Sequence, residues 1–153
     1  MHLIFSESGL NRMDFGVSDG TSGSGKETGL PDDSSQALQD WLKAFVHASE
    51  DVQWAMLDLQ GTDFQRSVWK ELLKIPYGTT VSYGTIAAKV GRAKASRAVG
   101  SAVGANAICI LVPCHRVLPA SGKPGNYRWG AAIKRALLDA EQVKGSNLTS
   151  LLK

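Results

Sequence analysis

A cysteine and a histidine stand side by side in residues 113–117, whose sequence is Pro-Cys-His-Arg-Val. An imidazole that accepts the proton of a nearby thiol makes the sulfur a nucleophile, provided that a third group orients the ring. Without such a group, a lone cysteine is more often an inert, small hydrophobic side chain. The segment therefore predicts a reactive Cys114 if the chain brings a suitable partner to His115.

Glu141 is the candidate for that partner. Residues 131–143 show helical periodicity, and Glu141 follows the inward-facing Leu138 by three residues. An unpaired buried carboxylate is unfavourable, so an inward Glu141 needs a partner, and His115 would suit it. The alternative is a glutamate at a frayed helix end whose carboxylate reaches solvent.

The second cysteine, Cys109, lies in the apolar run 107–112, which predicts a buried extended segment that Pro113 ends. Five residues apart on such a segment, Cys109 and Cys114 would point to opposite faces, so we expect no disulfide. Neither cysteine has a second ligand pair at a chelating spacing. We therefore expect no metal site.

The elements before residue 62 predict a small α+β unit. In chain order they are strands at 3–6 and 12–17 forming a hairpin, a Gly/Ser-rich loop at 16–35, a helix, and a strand at 52–59. The buried side of the helix would consist of its apolar residues Trp41, Leu42, Phe45 and Val46. We place the boundary of this N-terminal domain at residue 61.

Residues 62–153 predict a second, mainly helical domain. Thr62 and Gln65 have the spacing of a capping box, which marks the start of a helix that Pro76 and Gly78 end.

Two further short helices follow in this second domain. Ser82 would cap a helix that Gly91 closes, and another helix over 93–103 would follow after a very tight turn. Two short helices joined in this way are typical of a DNA-binding helix-turn-helix. The second helix consists mostly of small residues, with Arg97 as its one long side chain, and close helix packing would explain the small residues equally well.

Composition limits the possible classes of protein. The 153 residues are 43% hydrophobic and 20% charged, as in soluble globular proteins. No apolar run approaches the roughly 18 residues of a membrane span, so we expect no membrane partner. The N-terminus lacks the features of a secretory signal, which favours the cytoplasm, with the nucleoid, or the nucleus.

The charge distribution permits a nucleic-acid partner. The formal net charge is +3, and Lys89, Arg92, Lys94 and Arg97 form a basic stretch with no acid between them. Solvated helix faces also produce such stretches, so the pattern does not require DNA.

The motif at 113–117, preceded by Ile-Cys-Ile-Leu-Val, strongly resembles the active-site motif of the methylated-DNA–protein-cysteine methyltransferases, also called O6-alkylguanine-DNA alkyltransferases. The resemblance extends without an evident gap from about Thr62 to Glu141. The other matching positions, all at the family's spacings, are Ser82-Tyr83, residues 96–100, Asn106, residues 125–127 and Leu137-Leu138 before Glu141.

The resemblance implies repair of O6-alkylguanine, and of O4-alkylthymine, by one irreversible transfer of the alkyl group to Cys114, with no cofactor. His115, through a water molecule and with Glu141 behind it, would maintain the thiolate. Asn106 would brace the turn that carries the cysteine. Tyr83 would help to rotate the target nucleotide out of the duplex and donate a proton to N3 of the departing base.

On the DNA side, the resemblance implies a monomer bound to double-stranded DNA through the minor groove. Arg97 would fill the gap left in the base stack, and the small Ala98 and Ser101 would line the groove contact. We also expect Arg92 to bind DNA.

The resemblance further implies a pocket in which backbone groups near Val117 read the guanine edge and Tyr127 shapes the wall. Trp129 stands where several relatives carry small residues, so it could narrow the pocket against bulky alkyl groups. Packing of Trp129 into the core is the alternative.

Two other classes of protein remain open. An alkyltransferase-like protein that only detects lesions would lack the acceptor cysteine, which this chain has. A plain helix-turn-helix regulator would leave Tyr83, Asn106 and Glu141 unexplained.

Overall fold

The structure is a computed structural model that describes residues 2–14, 36–123, 125 and 127–141. The chain divides into two compact units, residues 1–60 and 61–153, one residue before the boundary expected from the sequence. Helices combine with small two-stranded sheets, which makes the fold α+β. In the part of the chain that is described, no helix has the length and apolar character needed to cross a membrane.

The first unit contains a hairpin and two helices: β1 (His2–Ser6), β2 (Gly9–Asp14), α1 (Gln36–His47) and α2 (Glu50–Ala55). The strands pair antiparallel, as the sequence predicts, with an irregular register between Ile4 and Phe5. The predicted loop at 16–35 and the end of the predicted second strand lie outside the described residues.

The strand predicted at 52–59 is wrong. The first half of that segment, residues 52–55, belongs to α2, whose first turn carries Glu50 and Asp51. Acidic side chains stabilise a helix at this end because they compensate the partial positive charge of its free amides. Only Leu57 retains strand-like pairing, through an isolated bridge to Leu10.

The predicted buried side of α1 is partly wrong. Phe45 is buried and its ring stacks on Trp41 one turn earlier, with centroids 5.4 Å apart. Val46 is 64% exposed, because the next residue along a helix points about 100° away from its neighbour. Leu42 is partly exposed.

The second unit carries the predicted site. Its elements are α3 (Asp63–Leu73), β3 (Val81–Ser82), α4 (Tyr83–Lys89), α5 (Ser96–Gly104), a short 3₁₀ helix (Cys114–Arg116), β4 (Val117–Leu118) and α6 (Ala131–Ala140). The strands β3 and β4 pair in parallel. Because both strands are only two residues long, α4, which follows β3, and the 3₁₀ helix that carries Cys114, which precedes β4, belong to the same small part of the unit.

The capping box predicted at the start of α3 is present: the side chains of Thr62 and Gln65 each accept a hydrogen bond from the other residue's backbone amide. The inward side of α3 includes Trp69, whose Nε1 donates to the carbonyl of Ala102 on α5 at 2.8 Å. This bond joins the inward side of α5 to α3, and the opposite side of α5 faces solvent.

Helices α4 and α5 follow the predicted order with different bounds. Ser82 caps α4 by accepting a hydrogen bond from the amide of Thr85 at 3.0 Å. Helix α5 begins at Ser96, three residues later than predicted. The connection over residues 90–95 is therefore longer than the very tight turn expected from the sequence.

Candidate active site

Asn106 holds the turn that leads to Cys114. Its Nδ2 donates to the carbonyls of Val112 at 2.9 Å and Ile108 at 3.3 Å, and its Oδ1 accepts from the amide of Ile108 at 2.9 Å. The side chain is 2% exposed, so these bonds replace lost hydration. The bracing contact expected of Asn106 is present.

The segment 107–112 is a series of turns, so the predicted extended conformation is wrong. Ile110 adopts a φ of 72°, a left-handed conformation that costs a β-branched residue about 1–2 kcal/mol. The bonds from Asn106 on both sides of the turns hold the backbone in this strained form. The segment is nonetheless buried as predicted at Ile108, Cys109 and Val112.

His115 contacts Glu141, as the helical spacing predicts. Nε2 of His115 lies 2.7 Å from Oε1 of Glu141, and the imidazole is fully buried. Helix α6 ends at Ala140 rather than 143, with Glu141 as its C-cap. The carboxylate therefore points back into the unit from the last turn of the helix, and the solvent-facing alternative is wrong.

Arg116 is a partner of Glu141 that the sequence analysis did not identify. Its Nε and Nη2 both reach the carboxylate at 2.9 Å, and its Nη1 donates to the carbonyl of Ile75 at 2.7 Å. The backbone amide of Gly78 adds a further donor to Glu141 at 3.3 Å. One carboxylate thus connects the loop after α3, the 3₁₀ helix and α6.

These contacts determine the protonation states of the pair. Although burial alone would raise the pKa of Glu141, hydrogen bonds from Arg116 and His115 lower it below the ordinary value. Burial lowers the pKa of His115, against the opposing effect of Glu141. The resting state is therefore a carboxylate facing a neutral imidazole whose Nε2 donates. Nδ1 of His115 is left as an acceptor, and it is buried without a hydrogen bond to the described residues.

Cys114 is 4% exposed, and its Sγ lies 3.6 Å from the hydroxyl of Tyr127. Burial raises the pKa of the thiol above its ordinary value, while Tyr127, Asn106 and Lys134 oppose that shift. The neutral thiol is consequently favoured at rest. Cys109 and Cys114 are not joined in a disulfide.

Lys134 is a second residue that the sequence analysis did not identify. It is 1% exposed, its Nζ donates to the carbonyl of Val117 at 2.6 Å, and it lies 5.6 Å from the centre of the Tyr127 ring. Burial lowers its pKa to about 8. The spacing of the sequence does indicate an inward position for Lys134, because it precedes the buried Leu138 by one helical turn and lies on the same face of the helix.

Tyr83, the first residue of α4, is half-buried, with its ring beside Gly100 of α5. Burial raises its pKa, and a charge on Cys114 would raise it further. The tyrosine hydroxyl is therefore neutral and can donate a hydrogen bond or a proton.

The three residues of α5 predicted to contact DNA share its exposed side: Arg97, Ala98 and Ser101. The buried side of α5 includes Val99 and Ala102. Because Ser101 follows Ala98 by three positions and Arg97 by four, it lies beside both of them, and the three residues form one strip of small side chains with a single long cation.

The remaining predicted residues have contacts of their own. Arg92 is exposed and its guanidinium lies 5.1 Å from the centre of the Phe64 ring. Val117 is fully buried in β4. Trp129 is partly buried, with the guanidinium of Arg128 5.3 Å from its ring. In residues 2–14, 36–123, 125 and 127–141, no group of three or more His, Cys, Asp or Glu side chains is arranged to hold a metal ion.

Comparison with known proteins decides the family. Residues 63–143 match the family described as 6-O-methylguanine DNA methyltransferase, DNA binding domain. This match covers more than half of the chain. The chain belongs to this family.

Its relatives in the 6-O-methylguanine DNA methyltransferase family include proteins from bacteria and yeast. The methylated-DNA–protein-cysteine methyltransferase of Mycobacterium tuberculosis is 60% identical over 88 residues, which are 58% of this chain and 53% of that protein. The protein of the same name from Saccharomyces cerevisiae is 44% identical over 93 residues, 61% of this chain and 50% of its own. The chain thus spans about half the length of the curated relatives it matches.

Structural similarity extends further along the chain. The crystal structure of Mycobacterium tuberculosis OGT in complex with DNA is similar to this chain with a TM-score of 0.71 and 39% sequence identity. The comparison covers 99% of this chain and 91% of that one. Every residue predicted for the site lies inside the matched segment 63–143, so the family match and the geometry concern the same part of the molecule.

Proposed function

We propose that this chain repairs O6-alkylguanine in DNA by transferring the alkyl group irreversibly to Sγ of Cys114. The observation that carries the proposal is the buried arrangement of Cys114, His115 and Glu141 within the segment that matches the 6-O-methylguanine DNA methyltransferase family. The naming of its relatives as methylated-DNA–protein-cysteine methyltransferases supports the same activity. No cofactor takes part in the proposed reaction.

The transfer is a single displacement in which atoms and charges balance. The thiol proton of Cys114 passes to Nδ1 of His115, directly or through water, while Glu141 stabilises the resulting imidazolium. Since burial favours the neutral thiol, this proton moves as the reaction begins and not in the resting protein.

Sγ then forms a bond to the alkyl carbon as the bond from that carbon to O6 breaks. The electron pair leaves with guanine, which takes a proton from Tyr83 at N3. Tyr127 donates a hydrogen bond to the sulfur while it carries charge, and His115 and Tyr83 return to neutrality by exchange with solvent. The thioether has no hydrolytic route back, so each chain reacts once.

We propose that a monomer binds double-stranded DNA through the minor groove, with α4 and α5 as a helix-turn-helix. The exposed strip Arg97, Ala98 and Ser101 supports this role, because small side chains allow a close approach and one long cation can replace an extruded base. The solved DNA complex of the mycobacterial relative is consistent with it. Arg92 would contact the phosphate backbone close to this strip.

The alkylated base would lie against Sγ of Cys114, with Tyr127 shaping the wall of the pocket and the backbone near Val117 reading the edge of the base. The same pocket would accept O4-alkylthymine. That Trp129 limits the size of the alkyl group that the pocket accepts stays a prediction.

The stoichiometry of alkyl uptake tests the proposal. Incubation with excess duplex containing O6-methylguanine should add one methyl group to each chain, measured by intact-protein mass spectrometry, and no more on longer incubation. Uptake of several methyl groups per chain, or catalytic release of methylated product, would contradict a single irreversible transfer. Tight duplex binding with a strong sequence preference and no mass gain would favour the helix-turn-helix regulator.

Arg97→Ala should weaken repair of duplex DNA by about tenfold or more and leave the reaction with free O6-methylguanine base nearly unchanged. The reason is that Arg97 can act only where a base has been taken out of a stack, which costs a few kcal/mol. Single-turnover rates with both substrates measure the difference. Lys94→Ala, which removes an exposed cation of the same basic stretch, is the matched control, and an equal loss with both substrates would assign Arg97 to the fold.

A further inference from the structure

The carboxylate of Glu141 is shared between two basic side chains, and only one of them belongs to the proposed proton path. His115 takes one oxygen at 2.7 Å. Arg116 approaches both oxygens, with Nε 2.9 Å from Oε2 and Nη2 2.9 Å from Oε1. The steps of the proposed reaction involve His115 and Glu141, and Arg116 has no role in them.

Arg116 is itself fixed independently of Glu141. Its Nη1 donates to the carbonyl of Ile75 at 2.7 Å, and its guanidinium lies 5.5 Å from the centre of the Tyr77 ring. The hydroxyl of Tyr77 donates to the carbonyl of Ala140 at 3.3 Å, one residue before Glu141. The guanidinium therefore occupies a built position between the loop after α3 and the end of α6.

Glu141 needs such an anchor. It is the C-cap of α6, beyond the last helical residue, where a side chain has few constraints from the helix itself. A planar guanidinium that meets both carboxylate oxygens fixes the orientation of the carboxylate as well as its charge.

We propose that Arg116 is a positioning residue that clamps Glu141 against His115 and offsets enough of its charge to keep His115 neutral in the resting protein. The inference rests on the proposed function, in which His115 must accept a proton from Cys114. A neutral imidazole can accept that proton, and an imidazolium cannot.

The charges around His115 support this balance. Burial is the largest influence and disfavours the imidazolium, Glu141 at the C-cap of α6 favours it, and Arg116 next along the chain and Lys134 on α6 disfavour it. Cys114 is a neutral thiol at rest. If Arg116 is removed, the carboxylate acts on His115 with one fewer opposing cation. The imidazolium form of His115 then becomes more stable relative to the neutral imidazole.

Titration of the His115 ring in the full chain tests the proposal without relying on activity. Histidine labelled with ¹⁵N gives three residues to resolve, His2, His47 and His115, and His115→Gln assigns the signal. In Arg116→Met the imidazole pKa should rise by about one unit, as expected when an adjacent charge is removed. Arg116→Lys, which keeps the charge and loses the two-point contact, should show a smaller rise.

The rate of methyl transfer supplies the second measurement. In Arg116→Met the acid limb of the pH profile of the single-turnover rate should move to higher pH by the same amount as the imidazole pKa, so that the rate falls more at acidic pH than at pH 8.5. Arg116→Lys should restore most of the rate at pH 6. Arg135→Met, whose guanidinium donates a hydrogen bond to the carbonyl of Ala131 on its own helix, should keep the original pH profile.

An unchanged His115 pKa in both Arg116 variants, with a pH profile parallel to the original, would overturn the proposal even if the melting temperature fell. If Arg116→Met does not fold, the Arg116→Lys titration decides between a shifted and an unshifted imidazole. A chain that takes up no methyl group would contradict the proposed function, while the titration would still test the clamp.

Discussion

Cys114→Ser should reduce methyl uptake by more than about a thousandfold, the scale seen when a nucleophile is removed from a preorganised site. The hydroxyl of serine is far less acidic than a thiol, so one neutral imidazole cannot make it an effective nucleophile. Cys109→Ala should still accept one methyl group per chain. The two cysteines are both buried, but Cys114 has the hydroxyl of Tyr127 3.6 Å from its sulfur and His115 beside it in the chain.

Peptide mapping after reaction should place the methyl group on Cys114 alone. Thermal melts of both variants serve as the control, because a loss of uptake is informative only in a folded chain. Methyl on Cys109, or continued uptake by a folded Cys114→Ser variant, would refute Cys114 as the acceptor.

Lys134→Met should stabilise the protein at pH 7 by about 1–3 kcal/mol. Folding lowers the pKa of Lys134 from 10.5 to about 8, and a shift of that size corresponds to roughly 3 kcal/mol of unfavourable free energy for the charged form. Methionine has a similar shape and no charge to bury, but it gives up the hydrogen bond to Val117, which offsets about 1 kcal/mol of the gain.

The gain from Lys134→Met should depend on pH with a definite sign. Below about pH 8 both the folded and unfolded chains hold the proton, so the folded chain bears the full penalty. Between pH 8 and 10.5 the folded chain releases a proton that the unfolded chain retains, so the penalty decreases progressively as the pH rises. The stability difference between variant and original should therefore be largest near pH 7 and shrink towards pH 10.

Denaturant titrations of both chains at pH 7 and pH 10 measure this difference. Lys89→Met, at an exposed lysine of α4, is the control and should show little change at either pH. A Lys134→Met variant that is less stable than the original at pH 7, or a difference that is the same at both pH values, would contradict a buried cation that destabilises the fold.

Some of the site could be predicted because local spacing determines it. The capping box at Thr62, the cap at Ser82 and the inward direction of Glu141 all follow from offsets of three and four residues on a helix. Such offsets place side chains on a face before any tertiary structure is known. The contact between His115 and Glu141 could be predicted because Glu141 lies on the inward face of its helix and a buried carboxylate needs a partner.

Other parts of the site depend on contacts between distant segments. Arg116 pairs with a carbonyl 41 residues earlier in the chain, and no local pattern signals such a bond. Lys134 lies on the inward face of α6, but a lysine at such a position more often extends its amine to solvent. Its burial could therefore be recognised only from the structure. The segment at 52–59 alternates like a strand, yet the acidic residues at its start favour the helix that forms.

His115 and Glu141 are far apart in the chain, and this separation has a consequence during protein synthesis. The ribosome delivers Cys114 and His115 before it delivers Glu141, which follows His115 by 26 residues. Until that glutamate has left the exit tunnel, nothing orients the imidazole, and the turn at Asn106 alone cannot activate the sulfur. A nascent chain therefore carries Cys114 with the ordinary reactivity of an exposed thiol, and the arrangement that activates the sulfur for transfer forms only once Glu141 has emerged and α6 has folded.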